Sequence, residues 1–308
     1  MGPTGIDTLP VPGRQPGSVV LEAPCHEPGC WAGGPSAVLD SDGTWYLAYR
    51  MRRPEGKGRG HANFVARSAD GRHFETLVGL DRESFGAESL ERPALVALPG
   101  GGWRLYVSCA TPGTKHWRVD LLEADHPGHF DATSRRTVLP GDSDWGVKDP
   151  VIRWHDGRWH LWLCCHPLER DEDADRMVTW YGTSSDGVDW QLHGPALAGR
   201  PGAWDSRGAR VTSVLYGDGG VFAYYDGRAS AQENFEERTG VAAGDDGSSL
   251  TAAGDEPLAS SPEGKGGLRY LSVVELAGGG HRLFYERARD DGSHDLYTEH
   301  VPPASQGS

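Results

Sequence analysis

A phrase recurs five times along this chain at intervals of about 60 residues, and a tandem repeat of that length confines the fold to a few architectures. The clearest copies are Gly33-Gly34-Pro35-Ser36-Ala37-Val38-Leu39 with Gly43-Thr44-Trp45-Tyr46-Leu47, Arg92-Pro93-Ala94-Leu95 with Gly102-Trp103-Arg104-Leu105, and Asp149-Pro150-Val151-Ile152 with Gly157-Arg158-Trp159-His160-Leu161. Two looser copies join Arg210-Val211-Thr212-Ser213-Val214 to Gly219-Gly220-Val221-Phe222, and Leu271-Ser272-Val273-Val274 to Gly280-His281-Arg282-Leu283. Each copy reads as a short apolar strand, a glycine turn and an aromatic-rich strand, hence one small antiparallel sheet. A sheet of that size cannot bury both faces alone, so five in tandem predict a closed ring of blades. The expected fold is an all-β, five-bladed β-propeller in a single domain.

The turns support this reading. Ser68-Ala69-Asp70-Gly71, Ser184-Ser185-Asp186-Gly187 and Gly244-Asp245-Asp246-Gly247 each carry an Asp-Gly step, which supplies a positive-φ turn before the returning strand. Residues 18–22, Ser-Val-Val-Leu-Glu, form a strand-like run ahead of the first repeat and are expected to complete the last blade, removing an open edge. The expected organisation is a flexible segment over 1–16, the propeller over 17–301 and a flexible tail over 302–308.

With 44 Gly, 21 Pro and 11 Trp in 308 residues, the composition fits a turn-rich β protein. The net charge of −14 argues against non-specific nucleic-acid or membrane binding, both of which need cationic surface, and favours a polar, neutral ligand. The opening Met1-Gly2-Pro3-Thr4-Gly5-Ile6-Asp7 lacks the basic and apolar regions of a signal peptide, and a cytoplasmic location is expected. The five cysteines are read as free thiols, with Cys164 and Cys165 on opposite faces of one strand. Cys25-His26-Glu27-Pro28-Gly29-Cys30 has the look of half a zinc site, but no second cluster with ligand spacing follows except Cys164-Cys165-His166. No metal and no cofactor are expected.

Leu90-Glu91-Arg92-Pro93 and Val147-Lys148-Asp149-Pro150 place a charged residue before Pro at the start of an inner strand. In this the chain resembles the five-bladed β-propeller glycosidases, a group that includes arabinanases, β-xylosidases, invertase-like fructosidases and mannoside phosphorylases. The resemblance extends over about residues 31–301. Trp45-Tyr46-Leu47-Ala48-Tyr49-Arg50 and Ala66-Arg67-Ser68-Ala69-Asp70-Gly71 are similar to the first blade of the mannoside phosphorylase group. The resemblance implies a pocket at one mouth of the ring and a substrate that is a carbohydrate or glycoconjugate. It also implies a catalytic Asp at the start of the first blade, where this chain has Gly33-Gly34, and an acid Glu in the third, where it has Lys148-Asp149.

Inner strands converge at one mouth, so residues at their starts face each other. Glycoside cleavage needs one carboxyl to protonate the leaving oxygen and another to activate water or attack carbon. Glu91, Asp149 and Asp205 are the catalytic candidates, with Asp149 expected ionised and Glu91 the acid. Arg50, Arg92, Lys148, Arg207, Arg210, Asp226, Arg228 and Arg269 are expected to bind substrate, and Trp204 to offer a flat face to a sugar ring. The arginine forks make a uronic acid, a sugar phosphate or inorganic phosphate a candidate ligand. Plainer readings pair those arginines with Glu91, Asp149 and Asp226, and make Asp205 a turn residue capping its own backbone. Glu233, Glu236 and Glu237 are expected to face solvent, and His61 and His166 to lie near the pore.

Two functions follow: a glycoside hydrolase or phosphorylase, or a propeller that keeps the sugar pocket for binding or small-metabolite tailoring without the first-blade carboxylate.

Overall fold

The computed structural model describes residues 5–303, which are all β apart from short single-turn helical segments. After β1 (Gly17–Leu21) the chain builds β2–β5 (Trp31–Leu39, Trp45–Arg52, Gly60–Ser68, Glu75–Asp81) and β6–β9 (Ala94–Ala97, Trp103–Ala110, Trp117–Ala124, Arg136–Leu139). It continues through β10–β13 (Trp145–His155, Arg158–Pro167, Val178–Ser184, Gln191–Ala198) and β14–β17 (Gly208–Gly217, Gly220–Arg228, Arg238–Gly244, Thr251–Ala253). The last strands are β18–β20 (Leu268–Glu275, His281–Ala288, His294–Val301).

Each run pairs as an antiparallel meander. The second, third and fourth form separate four-stranded sheets, while the first and last share one sheet through a single parallel bridge between Trp31 and His294. β1 pairs antiparallel with β20, as the strand-like run at 18–22 led one to expect. The first strand of each meander contacts that of the next, and β18 contacts β2.

Apolar side chains fill the spaces between meanders rather than one central core. Leu105 and Val107 pack on Ala48 and Val65, Leu161 and Leu163 on Tyr106 and Val119, and Val211 and Tyr225 on Trp162 and Tyr181. Leu271 and Leu283 pack on Phe222 and Tyr224, and Phe284 and Leu296 on Ala37 and Leu47, which joins the last meander to the first. The repeated phrase supplies the polar ties as well. The hydroxyls of Ser36, Ser213 and Ser272 accept the backbone N–H of Leu95, Val273 and Ala37 on the neighbouring first strand, at 2.9, 3.1 and 3.2 Å.

The Asp-Gly turns have a second role beyond reversing the chain. Tyr106 Oη donates to Gly187 O at 2.7 Å, Trp162 Nε1 to Gly247 O at 2.9 Å, and Arg282 Nη1 to Gly71 O at 3.4 Å. The second strand of one meander thus docks on the turn of the next, including from last to first.

Two expectations are corrected. The segment 5–16 is anchored at several points: Leu9 is buried, Pro10 O accepts the buried Tyr224 hydroxyl at 2.7 Å, and Glu299 accepts the N–H of Gly13 and Gln15. Residues 1–4 and 304–308 lie outside the described residues. Cys25 and Cys30 are not free thiols but form a disulfide with Cα atoms 5.4 Å apart, a separation that the bond accommodates. Cys109, Cys164 and Cys165 are free and buried.

Candidate active site

The start of every first strand lies beside the end of its antiparallel partner, so both ends deliver side chains to one rim. There a pocket of about 650 Å³ opens. Glu91, Arg50, Lys148, Arg210, Arg228 and Arg269 of the expected set line it. A cavity of similar size at the opposite end is walled by strand-end and turn residues such as His155, Tyr216 and Asp246 and receives none of that set.

The local backbone aims several of these groups. In β10 and β18 a bulge follows Lys148 and Arg269, and the next residues, Asp149 and Tyr270, take left-handed conformations with φ of 52° and 55°. Such conformations are costly for non-glycine residues and persist only where the surroundings hold them. In β2 the matching bulge contains Gly34 at φ 59°, where glycine adopts the conformation freely.

Around the rim runs a chain of alternating charges. Glu91 pairs with Arg50, whose Nη2 donates to Glu286 at 2.7 Å; Glu286 accepts Arg269, and Arg269 Nη1 donates to Glu237 at 2.7 Å. Glu237 pairs with Arg228, which reaches Asp175 at 2.9 Å, and Asp175 accepts Arg207 Nε at 3.1 Å. Below this chain Asp149 accepts Arg210 Nη1 at 3.0 Å and the backbone N–H of Arg92 at 3.2 Å, while Asp226 accepts Arg210 Nη2 at 2.6 Å. The Arg210 guanidinium lies 3.8 Å from the centre of the Tyr270 ring. Paired buried charges of this kind fix geometry more than they add stability, because desolvation offsets their attraction.

Protonation follows from the pairing. Burial pushes the Glu91 carboxyl up, but the charges of Arg50, Lys148 and Arg52 overcome it and hold it at about 2. Burial likewise opposes ionisation of Glu237 and Glu286, and Arg269 with Arg228 or Arg50 holds both well below the usual range. Burial dominates for Asp226, which rises to about 6 despite Arg210. His166, buried and beside Lys148 and Arg210, is pushed well below the usual imidazole range and is neutral.

Several expected roles are therefore corrected. Glu91 is ionised, not the acid. Asp149 and Asp226 have no exposed surface and are sealed under Arg210. Asp205 is also fully buried, accepting Arg200 Nε at 3.0 Å and the Tyr225 hydroxyl at 2.8 Å, and does not line the pocket. Trp204 stacks on Tyr225 with ring centres 5.7 Å apart instead of offering a face to a sugar. Arg92 crosses below the pocket to donate to Pro35 O at 3.1 Å and Thr212 O at 2.7 Å, tying first strands together. Arg207 sits outside the lining, held by Asp175.

Glu237 was expected to face solvent and is 2% exposed. It lines the pocket together with Trp31, Arg52, His166 and Tyr270, none of which the strand-start alignment singled out as a site residue. His61 does not line it.

No protein-family model and no curated protein matches the sequence. Solved structures do match the fold. A glycosyl hydrolase from Bacteroides ovatus superposes with a TM-score of 0.71 at 15% identity over 99% of this chain and 97% of its own. A thermostable family-43 glycoside hydrolase gives 0.67 at 15% over 90% and 93%. The β-1,2-mannobiose phosphorylase from Listeria innocua gives 0.60 at 14% over 88% and 89%. The chain has a glycosidase-like fold. At these identities the likeness concerns fold, as the repeats implied, and the chemistry has to be argued from the pocket.

Proposed function

We propose that the chain is a closed five-bladed propeller enzyme that cleaves or transfers a glycosidic bond, with Glu91 as the carboxylate that meets the substrate. The cyclic order of meander contacts, with apolar packing between last and first, supports the ring. The observation that carries the activity is the state of Glu91. One carboxylate oxygen pairs with Arg50, and the other, Oε1, lies 3.9 Å from Arg52 Nε, beyond hydrogen-bond reach, in a residue that lines the pocket. An ionised carboxylate with a free edge suits a general base or nucleophile.

The test is a pair of substitutions. Glu91→Gln keeps the shape and removes the charge, so kcat/KM on a cleaved glycoside should fall by about 10²- to 10⁴-fold. Asp205→Asn should leave kcat/KM within a factor of a few. Normal turnover in Glu91→Gln rejects the assignment.

A second reading, a binding or tailoring propeller, is favoured by one observation. The carboxyl that burial raises to about 6, Asp226, is sealed from the pocket, so it does not serve as the proton donor that hydrolysis needs. Under that reading a sugar ligand raises Tm without being consumed.

A further inference from the structure

We propose that the pocket takes an acidic sugar, a hexuronic acid residue whose carboxylate is held between Lys148 and Arg52. This rests on the carbohydrate reading above and specifies its substrate class.

The charge of the pocket is opposite to that of the chain. The whole protein carries −14, yet eight Lys and Arg side chains line the pocket against six Asp and Glu. Most of these cations are matched: Arg50, Arg210, Arg228 and Arg269 each contact two carboxylates. Arg52 and Lys148 are not.

Arg52 has a side chain only 4% exposed. Its Nη1 reaches two carbonyls, Gly29 O and Arg53 O, at the 3.5 Å limit, and its buried Nε has no hydrogen-bond partner among the described residues, Glu91 Oε1 lying 3.9 Å away. Its guanidinium is wedged against Trp31 and Phe235, 4.2 and 5.0 Å from the ring centres. A cation that is buried with so little compensation is expensive, and a bound anion supplies what is lacking. Burial, offset only in part by Glu91, lowers its pKa to about 10.

Lys148 projects over the Trp117 ring, 4.7 Å from its centre, and faces Asp149 Oδ2 at 3.9 Å, too far for a hydrogen bond. That oxygen is already engaged by Arg210. Lys148 therefore keeps donors for a ligand.

Both cations line the same pocket as Glu91, with Arg52 Nε 3.9 Å from Glu91 Oε1. A ligand anion here shares the space with that carboxylate. A single-charged ring carboxylate meets less repulsion from Glu91 than a doubly charged phosphate, and the sugar ring attached to it lies in a pocket whose lining includes Trp31, Trp117 and Tyr270.

The test is calorimetric titration of the full chain with methyl glucuronide and methyl galacturonide, their neutral methyl glycosides, and inorganic phosphate. A charge-assisted contact predicts a uronide bound about 10- to 100-fold more tightly than its neutral counterpart. Lys148→Met and Arg52→Met should each erode that preference, while Lys148→Arg preserves it. Lys148→Arg keeps the charge beside Glu91 and over Trp117, so its thermal melt should match the parent and separate lost binding from lost folding. Neutral sugars bound as tightly as uronides overturn the acidic-sugar proposal and leave the carbohydrate reading standing. Phosphate binding without uronide binding also overturns it, in favour of a free oxyanion. Failure of every sugar to bind overturns both.

Discussion

The Glu286 carboxylate occupies the space that a side chain at Gly33 would claim. A Cβ built on Gly33 falls inside contact distance of Glu286 Oε2, Cδ and Cγ, although the two residues lie on β2 and β19. The first-blade position that the family resemblance assigns to a carboxylate is thus filled by a carboxylate arriving from the last meander. It arrives already committed to Arg50, Arg269 and His294.

The two positions should therefore be coupled. Gly33→Ala is expected to cost about 1–3 kcal/mol by overpacking. Glu286→Ala strands two buried arginines and should cost about 3–5 kcal/mol. The double variant should lose less than the sum by about 0.5–3 kcal/mol, measured by urea unfolding. Strict additivity would show that the contact is unimportant.

Acid should unfold the protein through the rim. Glu91 has a folded pKa of about 2 against an ordinary 4.5, so its stabilising contribution is complete above pH 4.5 and is lost as pH falls toward 2. Asp226 acts with the opposite sign: raised from 3.8 to about 6, it costs stability as pH rises through that window. Unfolding free energy measured from pH 2 to 7 should fall less steeply below pH 4.5 in Glu91→Gln, and an unchanged acid limb would contradict the pairing.

Asp205 and Trp204 should behave as structural residues. Asp205→Asn weakens the contacts to Arg200 and Tyr225, and removing a partner from a buried charged hydrogen bond costs about 1–3 kcal/mol. Thermal melts of Asp205→Asn and Trp204→Phe should shift downward while ligand affinity stays put. A selective loss of affinity in either would return it to the pocket.

Thiol titration in denaturant should find three reactive cysteines without reductant and five after reduction, reflecting the Cys25–Cys30 disulfide. In the native state all three free thiols should be slow: they are buried, and burial pushes the Cys164 thiol up to about 12. Five thiols without reductant would contradict the pairing.

The sheets were legible because each repeat carries the residues that join it to its neighbours: Ser36, Ser213 and Ser272 tie first strands, and the Asp-Gly turns receive Tyr106 and Trp162. The site was only half legible, because attention to the starts of first strands omits the ends of second strands. Antiparallel pairing brings both to the same rim. Arg52 shares a face of β3 with Arg50 through the two-residue period, and that alternation was available in the sequence. His166 at the end of β11 and Glu286 near the end of β19 follow the same logic. What no local pattern discloses is which carboxylates are sealed, since Asp149 is covered by Arg210 and Tyr270, 61 and 121 residues away in sequence.

The most direct measurement is product analysis by NMR after incubating wild type and Glu91→Gln with neutral and uronic acid glycosides, each with and without phosphate. Wild type should release a free sugar, or a sugar phosphate when phosphate is required, and Glu91→Gln should release almost none. Equal release by both proteins, or no product from wild type on any glycoside, would contradict the proposed function.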